Sequence, residues 1–569
     1  MSEDSFITGV NNPNSYNVVK AATVTVINIP ISKAFSVQSQ LLGNKEILLP
    51  SNFNNLKANV LWSYRNGLIS NVSISNPNPG SLAEISTTNI IVKVAANQSG
   101  NAVVTLHNGS TSNPIYWSWH IWVSNTALTS VPYTTELPAA EAPNYINYVK
   151  QGNILRTEIM DRNLGAQDEF PSVVGTPSAS DLAKIRASGG LHYQWGRKDP
   201  IPPFFNIGQG TYNIFLGSVA TDGTVTYPNQ VTPASYNTNY VVESNVYRDS
   251  SNANILAGDQ ISDKISKVLA YSVAKPLVFM KPSVKQIYKG GQTTGTDWLS
   301  TEANMAGDRW GRGENKSPFD PCPEGWKIPD VTSTYLDDIN YGYTPFYKKS
   351  VNESLYASVT NTFLGRVFNY SGHWAFIYDN NAYKIGNYPI AGVRGMRPVS
   401  INPSSTINST VDIGFYKIWM VGLSGGYGRP ITMAANVSST LTQTYEDDAD
   451  SYFGASCRCV RIKIGDNGNE QGAIPKLPVT ADGNGPPDTL TAQDVSNMAN
   501  NKLIIFPNPV KNLLSLDAKD NKEYHYQIYN MAGQLIKKGK FNNKQTDLSD
   551  LSTGNYLIRI NNSESIIRL

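Results

Sequence analysis

The decapeptide LHYQWGRKDP combines side chains that proteins use to hold sugars. Tyr193 and Trp195 alternate with a polar residue, and Arg197 follows after one glycine. Planar aromatic rings suit the apolar faces of pyranose rings, and a guanidinium donates hydrogen bonds in a fixed fork. Tyr193, Trp195 and Arg197 are therefore candidate ligand-binding residues. In the alternative that we favour, the rings pack in a core while Arg197 and Asp161 or Asp199 lock loops together.

Motifs for metal or phosphate chemistry are missing from the sequence. The five histidines lack paired spacing, and neither HExxH nor CxxC occurs, which argues against zinc. The run GGYGRP (425–430) lacks the lysine of a phosphate-binding loop. Paired carboxylates for glycoside hydrolysis depend on tertiary distances, and no motif points to them. We therefore predict no catalytic residue, no metal and no cofactor.

Three cysteines, Cys322, Cys457 and Cys459, allow one disulfide and one free thiol. Cys457 and Cys459 lie two apart in a predicted strand and face the same side of it. Neighbours of this kind form poor disulfides, so we expect one of them to bond Cys322. Three reduced, buried thiols are the alternative.

Composition predicts a mainly β protein of several domains. The chain has 569 residues, more than the roughly 250–300 at which a single core stops growing. Asn, Ser, Thr, Gly and Tyr are abundant while charged residues make up 16%, as expected of short strands joined by polar turns. The net charge of +2 favours neither nucleic acid nor anionic lipid as a partner. No apolar stretch is long enough for a membrane-spanning helix, and the first ten residues show no secretory signal.

Short alternating runs predict a β-sandwich near the N-terminus. Residues 1–35 show no clear period, and we assign them to an arm that includes an edge strand. Residues 36–125 alternate between apolar and polar side chains in runs bounded by Asn, Gly and Pro. Within IYWSWHIWV one face belongs in the core. This face consists of Ile115, Trp117, Trp119, Ile121 and Val123.

A loop-rich α+β region is predicted over residues 126–464. Its few helix signals include ASDLAKIRAS, with Ser180 or Asp181 as N-cap. Residues 258–273 carry a second helix signal, because apolar side chains recur there at helical intervals.

A linker and a second β region complete the chain. Residues 465–501 lack aromatic side chains and periodicity and are rich in Gly, Pro, Asn and Asp, which predicts a linker. Alternation resumes over residues 502–569, with NMAG and STGN as turns, and predicts a seven-strand sandwich.

Residues 502–569 resemble the type A C-terminal sorting domain that the type IX secretion system of Bacteroidetes recognises. The resemblance rests on FPNP, on the NMAGQLI turn and on DLSDLSTGNYLIRI, in that order. Prolines suit a domain entrance because they block ladder pairing, and glycines allow tight turns. The resemblance implies export through the periplasm to the cell surface or medium, with the outer-membrane translocon as partner. The sorting residues that it implies are Phe506, Pro507, Asn508, Pro509, Gly533, Gly554 and Tyr556.

Residues from about 150 to 462 resemble the Fibrobacter succinogenes major paralogous domain, a family with a C-type-lectin-like or formylglycine-generating-enzyme-like fold. MDRNLGA, GLHYQWGRKDP, DPCPEGWKIPD and GASCRCVRI carry this resemblance, and WSWHIWVSN resembles the end of the Ig-like module that precedes such domains. The resemblance implies a disulfide between Cys322 and Cys459, which leaves Cys457 without an assigned role. A copper-binding cysteine pair is not expected, because one cysteine is committed to Cys322.

These patterns predict an exported, adhesin-like protein without enzymatic activity. We expect the lectin-like domain to meet an extracellular glycan or a neighbouring surface protein. An accessory component of the secretion or gliding machinery, bound to the translocon, and a polysaccharide hydrolase are the alternatives. Acidic runs at 445–452 and 466–472 offer oxygen ligands for calcium, but they do not follow the EF-hand pattern, and we expect solvated loops.

Overall fold

The chain folds as two compact units, Met1–Pro487 and Asp488–Leu569, and the boundary falls inside the predicted linker. No helix in the described part of the chain is long and apolar enough to cross a membrane. The computed structural model describes residues 8–134, 156–171, 176–202, 213–232, 235, 239–242, 244–247, 261–281, 286–287, 293–294, 298–299, 309–311, 316–329, 367–370, 373–379, 384–389, 391, 394, 415–423, 430–437, 442–448, 453–462, 504–506, 513–517, 523–530, 535–551, 556–560 and 566–568.

A six-stranded sheet forms the N-terminal part of the first unit. Its strands are β1 (Ser15–Val19), β3 (Leu56–Ser63), β6 (Gly100–Asn108), β7 (Trp117–Ser124), β11 (Ile214–Val219) and β12 (Val225–Val231). Their spatial order is β1-β7-β6-β3-β11-β12. Strand β1 pairs with β7 in parallel, whereas the other neighbours are antiparallel.

A three-stranded sheet faces the same core. It consists of β2 (Thr25–Pro30), β4 (Ile69–Ile74) and β5 (Asn89–Val94), in the antiparallel order β2-β5-β4. Ile29 and Val92 from this sheet lie in one buried apolar cluster with Val104 and Trp119 from the six-stranded sheet. The accompanying helices are α1 (Ser32–Gln40), α2 (Leu82–Thr87) and the 3-10 turns Thr8–Asn11, Lys45–Leu48 and Pro50–Asn52.

Two segments that the sequence patterns assign elsewhere belong to these sheets. Strands β1 and β2 lie within residues 1–35, the predicted arm, yet each pairs along its length with a sandwich strand. The β11–β12 hairpin comes from the predicted middle domain, yet it extends the six-stranded sheet. Its Tyr227 hydroxyl donates a hydrogen bond to the Ile69 carbonyl at 3.0 Å. The hydrophobic core is therefore continuous across residue 125, where the sequence places a domain boundary.

Strand β7 is buried on both faces, although its sequence alternates. The predicted core face is buried, and Ser118, His120 and Trp122 on the opposite face are buried as well. The Trp122 indole donates to the Ala166 carbonyl at 2.8 Å. The second face is covered because segments of the middle region pack on it.

The remaining strands of the first unit form five small sheets. The five-stranded sheet has the order β10 (His192–Gln194), β24 (Gly454–Ser456), β21 (Phe415–Leu423), β22 (Pro430–Val437), β23 (Thr442–Asp448). The four-stranded sheet has the order β17 (Trp326–Lys327), β25 (Val460–Arg461), β9 (Arg156–Met160), β8 (Ser130–Thr134). The others are β18 (Val367–Tyr370) with β19 (His373–Asp379) and β20 (Lys384–Pro389), β13 (Tyr240–Val242) with β14 (Phe279–Lys281), and β15 (Gln286–Ile287) with β16 (Thr293–Thr294).

The first unit has three further described helices after α1 and α2. They are α3 (Ala179–Ala187), α4 (Ser244–Tyr247) and α5 (Ile261–Ala274). Helix α3 begins with a capping box. The Ser178 hydroxyl accepts from the Asp181 amide at 3.2 Å, and the Asp181 carboxylate accepts from the Ser178 amide at 2.9 Å. The N-cap is therefore Ser178 and not Ser180 or Asp181, because Asp181 occupies the third helical position of the box.

The second unit contains seven described strands in two sheets. A buried hydrogen bond joins the sheets, since the Thr546 hydroxyl donates to the Tyr526 hydroxyl at 2.9 Å. Leu514, Ile528 and Ile560 are fully buried. The mainly β prediction is confirmed for the chain. The sheets are β26 (Ile504–Phe506), β27 (Leu513–Asp517), β30 (Gln545–Asp547) and β29 (Leu535–Lys540), β28 (His525–Asn530), β31 (Tyr556–Ile560), β32 (Ile566–Arg568).

Candidate functional site

The three candidate ligand-binding residues lie on β10 and the turn that follows it, and all three are buried. Tyr193 and Trp195 are 0% exposed and Arg197 is 2% exposed. A pyranose ring needs an open aromatic face, which neither ring offers in this arrangement. The platform suggested by the sequence is therefore replaced by its alternative, packing in the core.

Arg197 closes the C-terminal end of helix α5. Its guanidinium donates to the carbonyls of Ser272 (3.2 Å), Lys275 (3.2 Å), Pro276 (3.2 Å) and Val278 (2.7 Å). The last carbonyls of a helix lack partners within the helix and carry partial negative charge, so a guanidinium satisfies and stabilises them. In its described hydrogen bonds Arg197 therefore contacts these carbonyls and the Gln194 side-chain oxygen (2.9 Å), and not Asp161 or Asp199.

Trp195 and Gly196 pack against residues more than a hundred positions away. The Trp195 ring meets the Trp310 ring edge-on, with centroids 5.0 Å apart. Gly196 has a φ of +79°, and a Cβ there would lie 2.6 Å from Cδ of Arg309. Both the backbone conformation and the space require glycine at this position.

Ser118, Lys198 and Asp199 form a cluster that sequence patterns did not reveal. The Lys198 ammonium donates to the Ser118 hydroxyl at 2.5 Å and to the Asp199 carboxylate at 2.6 Å, and the Ser118 hydroxyl donates to Asp199 at 2.5 Å. The ammonium also lies 4.3 Å from the Trp117 ring centroid. Burial lowers the pKa of Lys198 to about 8, although Asp199 opposes the shift.

Ser118 and Lys198 are arranged like the serine nucleophile and lysine base of a serine–lysine catalytic pair. A substrate cannot reach them. A lysine of lowered pKa next to a serine hydroxyl can act as a general base. Ser118, however, is the second residue of β7 and is 1% exposed. The cluster instead fixes the middle region onto the six-stranded sheet.

His120 lies two residues after Ser118 on the same face of β7 and is a neutral imidazole. Asn101 donates through Nδ2 to the Gly165 carbonyl at 2.8 Å, which leaves its Oδ1 to accept from His120 Nε2 at 2.9 Å. The proton of the ring is thereby assigned to Nε2, and Nδ1 faces the Tyr193 hydroxyl at 3.4 Å. Burial lowers the pKa of His120 to about 3.

The DPCP loop is held by hydrogen bonds within the loop and by hydrogen bonds from Asn14 near the N-terminus. Both Asp320 carboxylate oxygens accept main-chain amides, from Cys322 at 2.8 Å and Ile328 at 2.9 Å. Burial raises the pKa of Asp320. The Asn14 amide donates to the carbonyls of Pro318 (2.7 Å) and Asp320 (2.8 Å). Residues 14 and 320 are thus joined although they lie far apart in the chain.

The sulfur atoms of Cys322 and Cys459 are bonded, which is the pair that the family resemblance implies. Cys457 is a buried free thiol. Burial raises its pKa well above the usual range of a thiol, and the Asp320 carboxyl adds to the shift. A thiol in this state reacts poorly, because the thiolate is the nucleophilic form.

Two further patterns gain no support as sites. The pentapeptide GLSGG (422–426) matches the GxSxG pattern of hydrolase nucleophiles, which needs a strand before the serine and a helix after it. Strand β21, which ends at Leu423, pairs in antiparallel with β22, and residues 424–429 fall outside the described residues. Among the described residues no group of three or more acidic, histidine or cysteine side chains could hold a metal ion. Of the acidic runs, residues 445–448 lie in β23 and 466–472 fall outside the described residues.

The sorting residues lie in the second unit. Phe506 ends strand β26, which pairs with β27, and Tyr556 begins β31, which pairs with β28. Pro507, Asn508, Pro509, Gly533 and Gly554 fall outside the described residues.

Comparison with protein families identifies this unit. Residues 504–568 match the family model described as a secretion system C-terminal sorting domain. Neither a curated protein nor a solved structure matches the chain. The match covers all seven strands of the second unit and none of the first. Residues 504–568 are therefore a type IX secretion C-terminal sorting domain, and the chain is a cargo protein exported to the cell surface or medium.

Proposed function

We propose that the first unit is an adhesin-like binding protein that meets its partner outside the cell. The observation that carries this proposal is the sorting domain, because it sends residues 1–487 to the exterior. The resemblance of residues 150–462 to lectin-like domains supports an extracellular glycan or a surface protein as partner. Enzymatic activity is not part of the proposal.

The buried polar side chains of the first unit support a structural role for its interior and a binding role for its surface. The groups with the strongest potential for chemistry, Lys198, Arg197 and His120, all bind other parts of the protein. Buried hydrogen-bonded charges specify one arrangement of the elements that they join, because any other arrangement leaves them unpaired. Such a frame limits the alternative arrangements of the buried elements, and a preorganised protein loses less entropy when it binds a ligand.

Export is tested by separating the two units. The full chain and residues 1–487, each behind the same added secretory signal peptide, would be expressed in a Bacteroidetes host with an active type IX system, and in one whose translocon is deleted. We expect the full chain outside the cell only in the first host, and residues 1–487 retained in the periplasm in both. Equal surface display of residues 1–487 and the full chain would contradict the export step.

Binding is tested with the exported protein on immobilised glycans and on whole cells. Retention on a glycan or cell type without release of products supports the adhesin proposal. Release of soluble sugars from any polysaccharide favours the hydrolase instead. Co-purification with the outer-membrane translocon after a high-salt wash favours an accessory component of the secretion or gliding machinery.

A further inference from the structure

Strand β2 presents a free sheet edge in the first unit. It is the terminal strand in the order β2-β5-β4, and no described strand pairs with its other side. Free edges carry unpaired N–H and C=O groups that pair readily with another strand, unless charges, bulges or short length prevent it. Strand β2 is six residues long and regularly paired with β5.

The hydrogen-bond pattern identifies the groups on this edge. Just beyond β2, the Ile31 amide donates to the Thr88 carbonyl at 3.1 Å. In an antiparallel ladder every second residue bonds the same neighbour, so Ile29 and Ile27 also face β5. The main-chain groups of Val26 and Asn28 therefore point away from the sheet.

The pairing on the other side of β5 agrees with this assignment. The Ser75 amide donates to the Asn89 carbonyl at 2.9 Å, so Asn89 and Ile91 face β4. Ile90 and Val92 are then left for β2, and Val92 is opposite Ile27 in the observed register.

The same edge carries exposed apolar side chains and no charge. Val24 and Val26 are 52% and 51% exposed and are among the six most exposed large apolar side chains in the described part of the chain. Residues 21–32, AATVTVINIPIS, contain no ionisable side chain. A charged partner strand would therefore find no counter-charge, whereas an identical uncharged strand meets no repulsion.

We propose that two copies of this protein associate through antiparallel pairing of their β2 strands. A two-fold axis at Val26 pairs Val26 with Val26 of the second copy, and Val24 and Asn28 with the second copy's Asn28 and Val24. The outward groups of Val26 and Asn28 are then satisfied, and the two sheets become one of six strands. Pro30 has no amide hydrogen to donate, so the ladder ends there.

Electrostatics permits this register. Lys93 lies opposite Val26 on β5 and is the one charged residue in the three strands of this sheet. In the paired sheet the two copies of Lys93 are separated by three strand spacings, or about 14 Å. This exceeds the screening length of about 8 Å at physiological ionic strength, so their repulsion is weak. A single strand pair is smaller than a standard protein interface, so we expect a concentration-dependent dimer.

The test measures the mass of the full chain by light scattering over roughly 1–200 µM, a range in which weak dimers form. We expect the mass to rise from 62.2 kDa towards twice that value. Val26→Lys places two like charges at the axis and should abolish the rise. Leu49→Lys is the matched control, because Leu49 is 53% exposed and lies outside both sheets, and it should dimerise as the natural chain does.

Two further measurements locate the contact if a lysine variant is unstable. Val26→Cys in a Cys457→Ser background should form an intermolecular disulfide on mild oxidation, because directly opposed strand residues lie within disulfide reach. Val19→Cys, on the edge of β1, should not. The amides of Val26 and Asn28 should exchange slowly only at high concentration. A mass that stays single at every concentration, a dimer that survives Val26→Lys, or a different polypeptide bound at β2 of a monomer would overturn the proposal.

Discussion

The described ion pairs of the first unit include buried ones, whereas those of the sorting unit are all at least partly exposed. In the first unit, Asp161–Arg162 (2.7 Å) and Asp199–Lys198 (2.6 Å) form ion pairs whose side chains are at most 5% exposed. In the sorting unit the pairs lie at the surface. Lys537 contacts Asp550, with side-chain exposures of 23% and 65%.

This difference shows what each unit requires from its charges. A buried pair has lost its water, so removal of one partner leaves an uncompensated charge and costs about 3–5 kcal/mol. An exposed pair is screened and contributes about 0–1 kcal/mol. The first unit thus depends on specific polar contacts across long stretches of chain. The sorting unit depends mainly on its small apolar core.

Removal of the disulfide should have the largest effect, and only in the first unit. Cys322 and Cys459 are 137 residues apart, so the bond restricts a long loop in the unfolded chain. We expect Cys322→Ser with Cys459→Ser to lower the free energy of unfolding by about 5 kcal/mol in chain-entropy terms. Urea unfolding with separate probes for each unit measures it. If a reductant also destabilises the sorting unit, which has no cysteine, the predicted difference between the two units is wrong.

Lys198→Met should destabilise the first unit by about 3 kcal/mol or more, because the Asp199 carboxylate stays buried without its ammonium partner. Adding Asp199→Leu should restore part of the loss, since both charges are then gone. Urea unfolding of the two single variants and the double variant forms a thermodynamic cycle. A purely additive cycle would mean that the pair is not coupled.

Acid should weaken the first unit through His120. Its pKa is about 3 in the fold and 6.5 ordinarily, so the unfolded chain binds a proton that the folded chain refuses between these values. Stability should therefore fall as the pH drops from 6.5 towards 3, by up to about 1.4 kcal/mol per pH unit. His120→Gln should reduce this dependence in urea unfolding at pH 4–7 but not abolish it, because burial also lowers the pKa of His107 and of His192.

Lys537→Met should have the smallest effect, because its pair with Asp550 is half open to water. We expect a change below about 0.5 kcal/mol in the unfolding of the sorting unit. Thermal unfolding of residues 488–569 within the full chain measures it against the natural protein. A loss as large as that of Lys198→Met would erase the contrast between the units.

Local patterns revealed the sorting unit better than the first unit. Apolar and polar side chains alternate along its strands, which are joined by short turns. Tyr526 and Ile528 share the buried face that this alternation predicts. In β7 the same logic predicts only one buried face, since Ser118 and His120 have the polarity of a solvated side. Their partners, Lys198 and Tyr193, lie more than seventy positions away, and no local period encodes such a contact.

The tether between Asn14 and the Pro318 carbonyl sets an order of events during synthesis. The first strand leaves the ribosome about three hundred residues before its anchoring loop, and β25 follows later still. Contacts of such wide sequence separation form slowly. The first unit thus completes its fold only when nearly all of it has been made, shortly before the sorting domain emerges. Until then the N-terminal strands can pair with one another, but β1 lacks the loop that anchors it.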